Sequence, residues 1–162
     1  MKLLKPIKLL LLILVINFPA YADYPPAPKF QLPTEDGILN STQLKGKLVY
    51  IDFWASWCRP CKESFPWMIA MKEKFKNQPF EIIAINLDKD KALADKFIAS
   101  QNINFPIAFD PQATVAEQYN IEGMPSSYLI DQQGNLRIRY TGFWNKSKNE
   151  KEQTISQLLK KH

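Results

Sequence analysis

Two cysteines separated by two residues are the side chains in this sequence best suited to chemistry. They are the only cysteines among 162 residues, and they lie in the segment Cys58-Arg59-Pro60-Cys61. A disulfide across so short a loop removes little entropy from the unfolded chain, so stabilisation explains the pair poorly. The spacing instead favours thiol–disulfide exchange, in which two thiols are oxidised to a disulfide while a substrate disulfide is reduced.

The surrounding residues predict different roles for the two thiols. The order of the predicted elements places Cys58 where a buried strand ends and a helix begins. Free N–H groups and the helix dipole stabilise a thiolate at such a position. Pro60 suits the first turn of such a helix, and Arg59 adds a positive charge. We therefore predict that Cys58 attacks the substrate disulfide and that Cys61, one turn into the helix, resolves the mixed disulfide.

The resolving thiol needs a base that removes its proton. The single histidine, His162, is the last residue, so Asp52 is the best candidate. This aspartate interrupts an apolar run six residues before Cys58, and burial would raise the pKa of its carboxyl and suit it to proton transfer. The alternative is an aspartate at a strand edge that faces solvent.

The apolar patterns predict alternating strands and helices. Nearly continuous apolar runs at residues 47–54 and 80–87 are typical of strands buried on both faces of a parallel sheet. A turn at residues 35–37 suggests a short hairpin near the N-terminus. The remaining predicted elements are helices at 60–77 (with Pro66 kinking it), 90–100, 114–119 and 148–160, and strands at 107–109, 127–130 and 136–140.

These elements predict an α/β fold with a mostly parallel sheet that ends in an antiparallel hairpin. The lysine-rich stretch from Lys146 to Lys161 includes two glutamates and predicts the solvated face of the last helix. It contains no interleaved aromatic residues, and no nucleic-acid partner is expected.

The first 22 residues have the pattern of a secretory signal peptide. Three lysines precede an apolar core at residues 9–18, and Ala20-Tyr21-Ala22 offers small residues for cleavage. The prediction is an exported domain of residues 23–162, whose formal net charge falls from +5 to +2 when the three lysines are removed. An uncleaved membrane anchor is the alternative, but the apolar core has about half of the roughly 20 residues that a spanning helix needs.

Several segments resemble a known family. The run from Asp52 to Lys62 (DFWASWCRPCK) resembles the active-site signature of thioredoxins. The segments APKF (27–30) and LKGK (44–47) resemble the N-terminal extension of the TlpA/ResA-type branch of exported thioredoxin-like proteins. Gly123-Met124-Pro125, with the following YLID (128–131) and Gly134, is similar to the cis-proline segment and hairpin of that branch. The resemblance implies a thioredoxin-like fold: a central mixed sheet flanked by helices, with an N-terminal β-hairpin extension.

The same resemblance implies a substrate-binding surface. A cis Met124–Pro125 bond would place its loop against the Cys58–Cys61 disulfide, where it pairs with an extended substrate backbone. Trp57, which adjoins the nucleophile, is the aromatic residue expected to line the docking surface. The complete predicted set of substrate-binding residues is Trp57, Arg59, Pro60, Met124 and Pro125.

The family also implies partners. Protein thiols and disulfides are the expected substrates, and a membrane electron-donor protein is expected to re-reduce the active site. No cofactor beyond the redox-active disulfide and no metal is predicted, because the sequence has no nucleotide-binding glycine motif and exchange alone carries electrons. The expected location is the bacterial periplasm, with membrane attachment only if the signal is retained.

The sequence departs from the family pattern at three places. Ser64 stands where many TlpA/ResA-type proteins have a glutamate, and the nearby Glu63 is one position earlier. The strand around residues 82–85 offers no lysine to pair with Asp52, unlike many thioredoxins. Ser126 follows the cis-proline position, where the cytochrome c maturation branch usually has an acid, so a cytochrome-specific role is in doubt.

Two other functions remain as alternatives. The same fold supports disulfide oxidases and isomerases, although Arg59-Pro60 and Asp52 favour a reductant. Cys58, Cys61 and Met124 are soft ligands that could instead bind Cu(I). A peroxidase is less consistent with the sequence, which has no separate peroxidatic-cysteine motif.

Overall fold

A five-stranded mixed sheet forms the centre of the structure, a computed structural model that describes residues 24–160. The predicted signal peptide at residues 1–22 lies outside the described residues. The strands are β1 (Gln31–Thr34), β2 (Gly37–Asn40), β3 (Leu48–Trp54), β4 (Phe80–Asn86), β5 (Ile107–Phe109), β6 (Ser126–Ile130) and β7 (Leu136–Thr141). The helices are α1 (Arg59–Lys74), α2 (Lys91–Ile98), α3 (Thr114–Gln118) and α4 (Ser147–Lys160).

The sheet has the order β5-β4-β3-β6-β7, and β1 and β2 form a separate antiparallel hairpin. Strand β3 pairs in parallel with β4 and antiparallel with β6. This register sets Asp52 opposite Ala84 on one side and Ser127 on the other. The predicted α/β class, the mixed sheet and the N-terminal hairpin are confirmed.

The element boundaries differ little from the predicted ones. The first helix ends at Lys74, three residues earlier than predicted, and Pro66 lies within it. A 3-10 helix at Ser41–Leu44 was not predicted, because four polar or weakly apolar residues carry no periodic signal. Its start is held by Asn40, whose side-chain oxygen accepts a hydrogen bond from the Thr42 N–H at 3.0 Å. None of the helices in the described range is both long and apolar enough to cross a membrane.

Alternate residues of β3 enter two different apolar cores. Tyr50 and Trp54 face the core that α1, α2 and α4 cover. Residues of the opposite face, such as Ile51 and Phe53, pack against α3 and the N-terminal segment. All seven residues of β3 are buried, because the strand is paired on both edges and covered on both faces. A polar side chain in this strand is therefore removed from water wherever it falls.

The prediction of a solvated lysine-rich face on the last helix is wrong for Lys151. This residue is only 1% exposed. It shares the buried face of α4 with Ile155 and Leu159, which follow at intervals of four residues. Side chains four apart lie on the same helix face, so the packing that buries Ile155 also carries Lys151 into the interior.

A buried carboxylate holds the start of α3. The two oxygens of Asp110, at the end of β5, accept hydrogen bonds from the N–H groups of Thr114, Val115 and Ala116 at 3.0, 2.9 and 3.0 Å. The side chain is 3% exposed, so these donors would have few alternative partners. It provides the acceptors that the first turn of a helix lacks.

We predict that Asp110→Ala lowers the free energy of unfolding by about 2–3 kcal/mol, because three helix donors lose their acceptor. Asp110→Asn keeps one oxygen and should lose less. Urea denaturation of the oxidised protein measures both changes, with Asp36→Ala in an exposed turn as the control. A loss in Asp110→Ala no larger than in the control would show that this cap contributes nothing.

Candidate active site

The two cysteines follow the carboxyl end of β3, at the start of α1. The strand ends at Trp54, a three-residue loop follows, and α1 begins directly after Cys58. Cys58 has extended backbone angles (φ −84°, ψ 97°) and is the N-cap residue of α1. Its N–H donates to the carbonyl of Ala55 at 3.0 Å, which closes the loop into a tight turn. The predicted position of Cys58 between a strand and a helix is confirmed.

Cys58 and Cys61 are joined by a disulfide in this structure. Cys58 retains 6% of its surface in contact with solvent, whereas Cys61 has none. Cys58 is therefore the more exposed of the two residues, and Cys61 is fully buried. The roles of Cys58 as nucleophile and Cys61 as resolving cysteine stay predictions.

The start of α1 favours negative charge on Cys58 mainly through its backbone. No side chain caps the helix, and its first turn contains no acidic residue. Free N–H groups and the positive end of the helix dipole can thus act on a thiolate at this position. The guanidinium of Arg59 points into solvent and lies 3.4 Å from the carboxylate of Glu63, so its charge is screened and partly offset.

A buried polar network holds the loop before Cys58. One carboxylate oxygen of Asp88 accepts the N–H of Ser56 at 2.8 Å, and the other accepts the Ser56 hydroxyl at 3.0 Å. The side-chain amide of Asn86 donates to the same carboxylate at 2.8 Å. With this loop fixed, the next residue, Trp57, projects into solvent and is 69% exposed. No sequence pattern predicted this anchor.

The loop before β6 lies at the end of the sheet that leads into the cysteines, because Ser126 pairs with Phe53 near the end of β3. The Met124–Pro125 peptide bond is cis. The carbonyl of Pro125 accepts the N–H of Gly142 at 2.8 Å, which ties the loop to the end of β7. Met124 is half-buried and packs against the core that contains Cys58 and Cys61. The structure therefore places Met124 and Pro125 at the cysteine end of the sheet and leaves Trp57, Arg59 and Pro60 at the exposed rim.

Asp52 lies in the interior beneath α1. It is 1% exposed, and its Oδ2 atom has no hydrogen-bond partner in the described part of the chain. Burial raises the pKa of its carboxyl to about 7, although the ammonium of Lys151 and the hydroxyl of Ser64 oppose the rise. That hydroxyl donates its proton to the carbonyl of Cys61 at 2.7 Å, so the carboxyl lies near the helical turn that carries Cys61. A carboxyl with a pKa near neutrality can both take and release a proton at physiological pH.

Comparison with known proteins places this site in a family. Residues 25–139 match the model of the AhpC/TSA family. The chain belongs to the AhpC/TSA family.

Among its relatives are two proteins named "Thiol-disulfide oxidoreductase ResA". The one from Bacillus subtilis (strain 168) is 35% identical over 122 residues, which cover 75% of this chain and 68% of the relative. The one from Geobacillus thermodenitrificans (strain NG80-2) is 30% identical over 154 residues, which cover 88% of each chain. The chain is thus a ResA/TlpA-type member of the thioredoxin superfamily.

Solved structures agree with this assignment. A crystal structure from Chlorobium tepidum, of a protein assigned as a Thiol:disulfide interchange protein DsbE, superposes with a TM-score of 0.82 at 41% identity. That comparison covers 84% of this chain and 96% of the other. A solution structure from Bacteroides thetaiotaomicron, of a protein assigned as a disulfide isomerase, gives a TM-score of 0.76 at 27% identity, with 84% and 89% covered.

The residue of this ResA-type site that the sequence analysis missed is Lys151. The strand next to Asp52 carries no lysine, and the cation near its carboxyl comes instead from α4. A signal was present in the sequence, because Lys151 stands one turn before Ile155 on the apolar face of a predicted helix. A lysine at a core position of a helix is unusual enough to call for a buried partner.

The raised pKa of Asp52 makes the stability of the oxidised protein depend on pH. Between pH 3.8 and about 7 the folded carboxyl keeps a proton that the unfolded chain has lost, so stability falls as the pH rises through this window. We predict that Asp52→Asn, which lacks this penalty, gains about 2–4 kcal/mol relative to the wild type between pH 4 and pH 8.

Urea denaturation of the oxidised proteins at both pH values measures this gain. Asp36→Asn, which changes an exposed aspartate, serves as the control and should show no comparable trend. If the difference between Asp52→Asn and the wild type is the same at pH 4 and pH 8, the carboxyl titrates normally in the fold.

Proposed function

We propose that this ResA-type protein reduces disulfide bonds of exported proteins through Cys58 and Cys61, with Asp52 as the proton acceptor. The observation that carries the proposal is the arrangement at α1. An accessible cysteine lies at the start of the helix, a fully buried one lies a turn later, and a buried carboxyl with a pKa near 7 faces that turn. Each of the three groups has the environment that one step of thiol–disulfide exchange requires.

In the first step, the thiolate of Cys58 attacks one sulfur of the substrate disulfide. A new bond forms between Cys58 and the substrate, the substrate disulfide breaks, and one substrate thiolate leaves. The start of α1 stabilises the attacking thiolate, and the exposed rim beside Met124 and Pro125 offers the surface for the substrate backbone.

In the second step, the carboxylate of Asp52 takes the proton of the Cys61 thiol. The resulting thiolate attacks the sulfur of Cys58, the mixed disulfide breaks, and the second substrate thiolate leaves. The protein is oxidised by two electrons to the disulfide state seen in the structure, and the substrate is reduced to two thiols. The proton on Asp52 returns to solvent or to Cys61 when the protein is next reduced.

The proposal includes export and an electron donor. The predicted signal peptide supports a location outside the cytoplasm, in the periplasm of a bacterium. A protein that leaves each cycle as a disulfide must be reduced again, and in an oxidising compartment this calls for a dithiol partner supplied from the membrane. The substrates are proteins with accessible disulfides.

The alternative is a disulfide oxidase or isomerase, which would work in a different redox direction. A similar solution structure is assigned as a disulfide isomerase. Equilibration of the purified protein in graded thiol/disulfide buffers measures the potential of the Cys58–Cys61 couple. We predict a value near that of thioredoxin, about −270 mV. A value near about −120 mV would make the protein a disulfide donor.

The roles of the two cysteines predict opposite results for their serine variants. Cys61→Ser should accumulate a mixed disulfide between Cys58 and a model protein disulfide, because the resolving thiol is missing. Cys58→Ser should form at least about tenfold less adduct, because the sulfur of Cys61 has no exposed surface. Mass spectrometry after acid quenching counts both adducts. Equal adduct formation by the two variants would contradict the assignment.

Binding of Cu(I), the alternative function, can be measured separately. A binding module would hold the metal through Cys58, Cys61 and Met124 and would need the reduced cysteines. Titration of the reduced protein with Cu(I) against a competing chelator, with Met124→Leu as the comparison, measures such binding. Weak binding that Met124→Leu leaves unchanged would rule out the three-ligand site.

A further inference from the structure

Lys151 is a buried cation that the proposed mechanism does not use. Its side chain is 1% exposed, although it belongs to the C-terminal helix α4. An isolated buried ammonium is expensive, and an apolar residue at this position would avoid the cost. A lysine in such a place therefore needs polar or charged partners.

The neutral partners of Lys151 are weak. Its ammonium lies 3.4 Å from the hydroxyl of Tyr50 and 3.4 Å from that of Ser127, distances at the long end for hydrogen bonds. The hydroxyl of Tyr50 donates instead to that of Ser127, in a shorter bond of 2.7 Å. The ammonium also lies 4.6 Å from the ring centre of Tyr140 and 5.2 Å from that of Phe143, within the range of cation–π attraction.

The same contacts place the ammonium near Asp52. Tyr50 lies two residues before Asp52 on the same face of β3, and Ser127 is its direct partner on β6. A cation that contacts both hydroxyls therefore lies near the carboxyl, along the strand and across the ladder, and acts on it through space rather than through a direct ion pair. Burial lowers the pKa of Lys151, and the carboxylates of Asp52 and Glu150 oppose that change.

We propose that Lys151 is a positioning residue, whose buried ammonium acts through Asp52 and holds that carboxyl in the ionised form that accepts the proton of Cys61. The inference rests on the proposed function, because it concerns the proton acceptor of the second step. It assigns the C-terminal helix a part in the chemistry, since the cation beneath the active site comes from there.

Few other titratable groups face Asp52 in the described structure. Tyr50 on β3 stays protonated, because burial raises the pKa of its hydroxyl well above the ordinary value. Tyr140 on β7 has a raised pKa as well. The thiol of Cys61 on α1 is the proton donor of the step itself. Burial is the largest influence on the ionisation of Asp52, and Lys151 is the nearby charge that opposes it at neutral pH.

The test separates the two chemical steps. Reduced protein is mixed with excess 5,5'-dithiobis(2-nitrobenzoate), and the attack by Cys58 releases the first coloured thiolate. The attack of Cys61 on the mixed disulfide releases the second. The rate of the second phase is measured from pH 5 to pH 9 for the wild type, Lys151→Met and Lys151→Arg. Lys160→Met, at an exposed position of the same helix, is the matched control for the loss of one charge.

We expect the midpoint of the second phase to move up by about one pH unit in Lys151→Met, because the carboxylate loses a nearby opposite charge. Its rate at pH 7 should fall about five- to tenfold and approach that of the wild type at pH 9. The first phase should be unchanged. Lys151→Arg, which keeps the charge, should restore a profile close to the wild type, and Lys160→Met should not differ from it.

A purely structural role predicts a different outcome. Methionine has a similar length and suits the aromatic surroundings, and thermal denaturation of the oxidised protein confirms that each variant is folded. An unchanged midpoint in folded Lys151→Met would overturn the inference. So would an equal effect of Lys151→Met in the Asp52→Asn background, since the lysine would then not act through Asp52.

The single variant Asp52→Asn distinguishes a wrong role for Lys151 from a wrong proton acceptor in the proposed function. If Asp52→Asn leaves the second phase unchanged, the proton acceptor itself is wrongly assigned. If Asp52→Asn slows the second phase but Lys151→Met does not shift it, only the role of Lys151 is refuted.

Discussion

The burial of a carboxyl in the central strand is the constraint on which this site depends. Strand β3 is paired with β4 and β6 and covered by helices or loops on both faces, so Asp52 is almost completely withdrawn from water. Desolvation then disfavours its charged form and raises its pKa into the physiological range. The same strand ends four residues before Cys58 and thereby sets the position of the cysteine pair. Fold and chemistry are linked because the strand that carries the carboxyl also leads into the cysteine pair.

This arrangement sets stability against function. An ionised carboxyl in the interior costs the folded protein free energy that an asparagine would avoid. A normal carboxyl pKa, however, would make a poor proton acceptor for a thiol at neutral pH, because the optimal base titrates near the working pH. Active sites commonly keep such unfavourable groups, and the surrounding structure compensates for them. The core on the same face of β3 contains close aromatic packing of Trp54, Phe65 and Phe97, whose ring centres lie 4.9–5.3 Å apart.

The C-terminal third of the chain supports the site that β3 and α1 form. The bond from Gly142 to Pro125 joins the end of β7 to the loop beside the cysteines. Beyond that point the chain turns into α4, which returns across the sheet and places Lys151 near Asp52. The proposed substrate rim and the proposed proton acceptor are therefore both supported by the segment that follows the cis-proline loop.

The amino-acid sequence by itself determined the order of the elements, the position of the cysteine pair and the candidacy of Asp52. These follow from local information: apolar runs report buried strands, helical spacing reports the faces of helices, and an aspartate within an apolar run is expected to be buried. Tertiary structure alone decided which charges meet. Tyr50 and Lys151, which lie 101 residues apart, come together because α4 packs on β3, and no periodicity encodes that contact. Asp88 holds the loop at Ser56 from 32 residues away for the same reason. Periodicity shows that a residue is buried, whereas the ionisation of a buried group depends on the neighbours that packing brings to it.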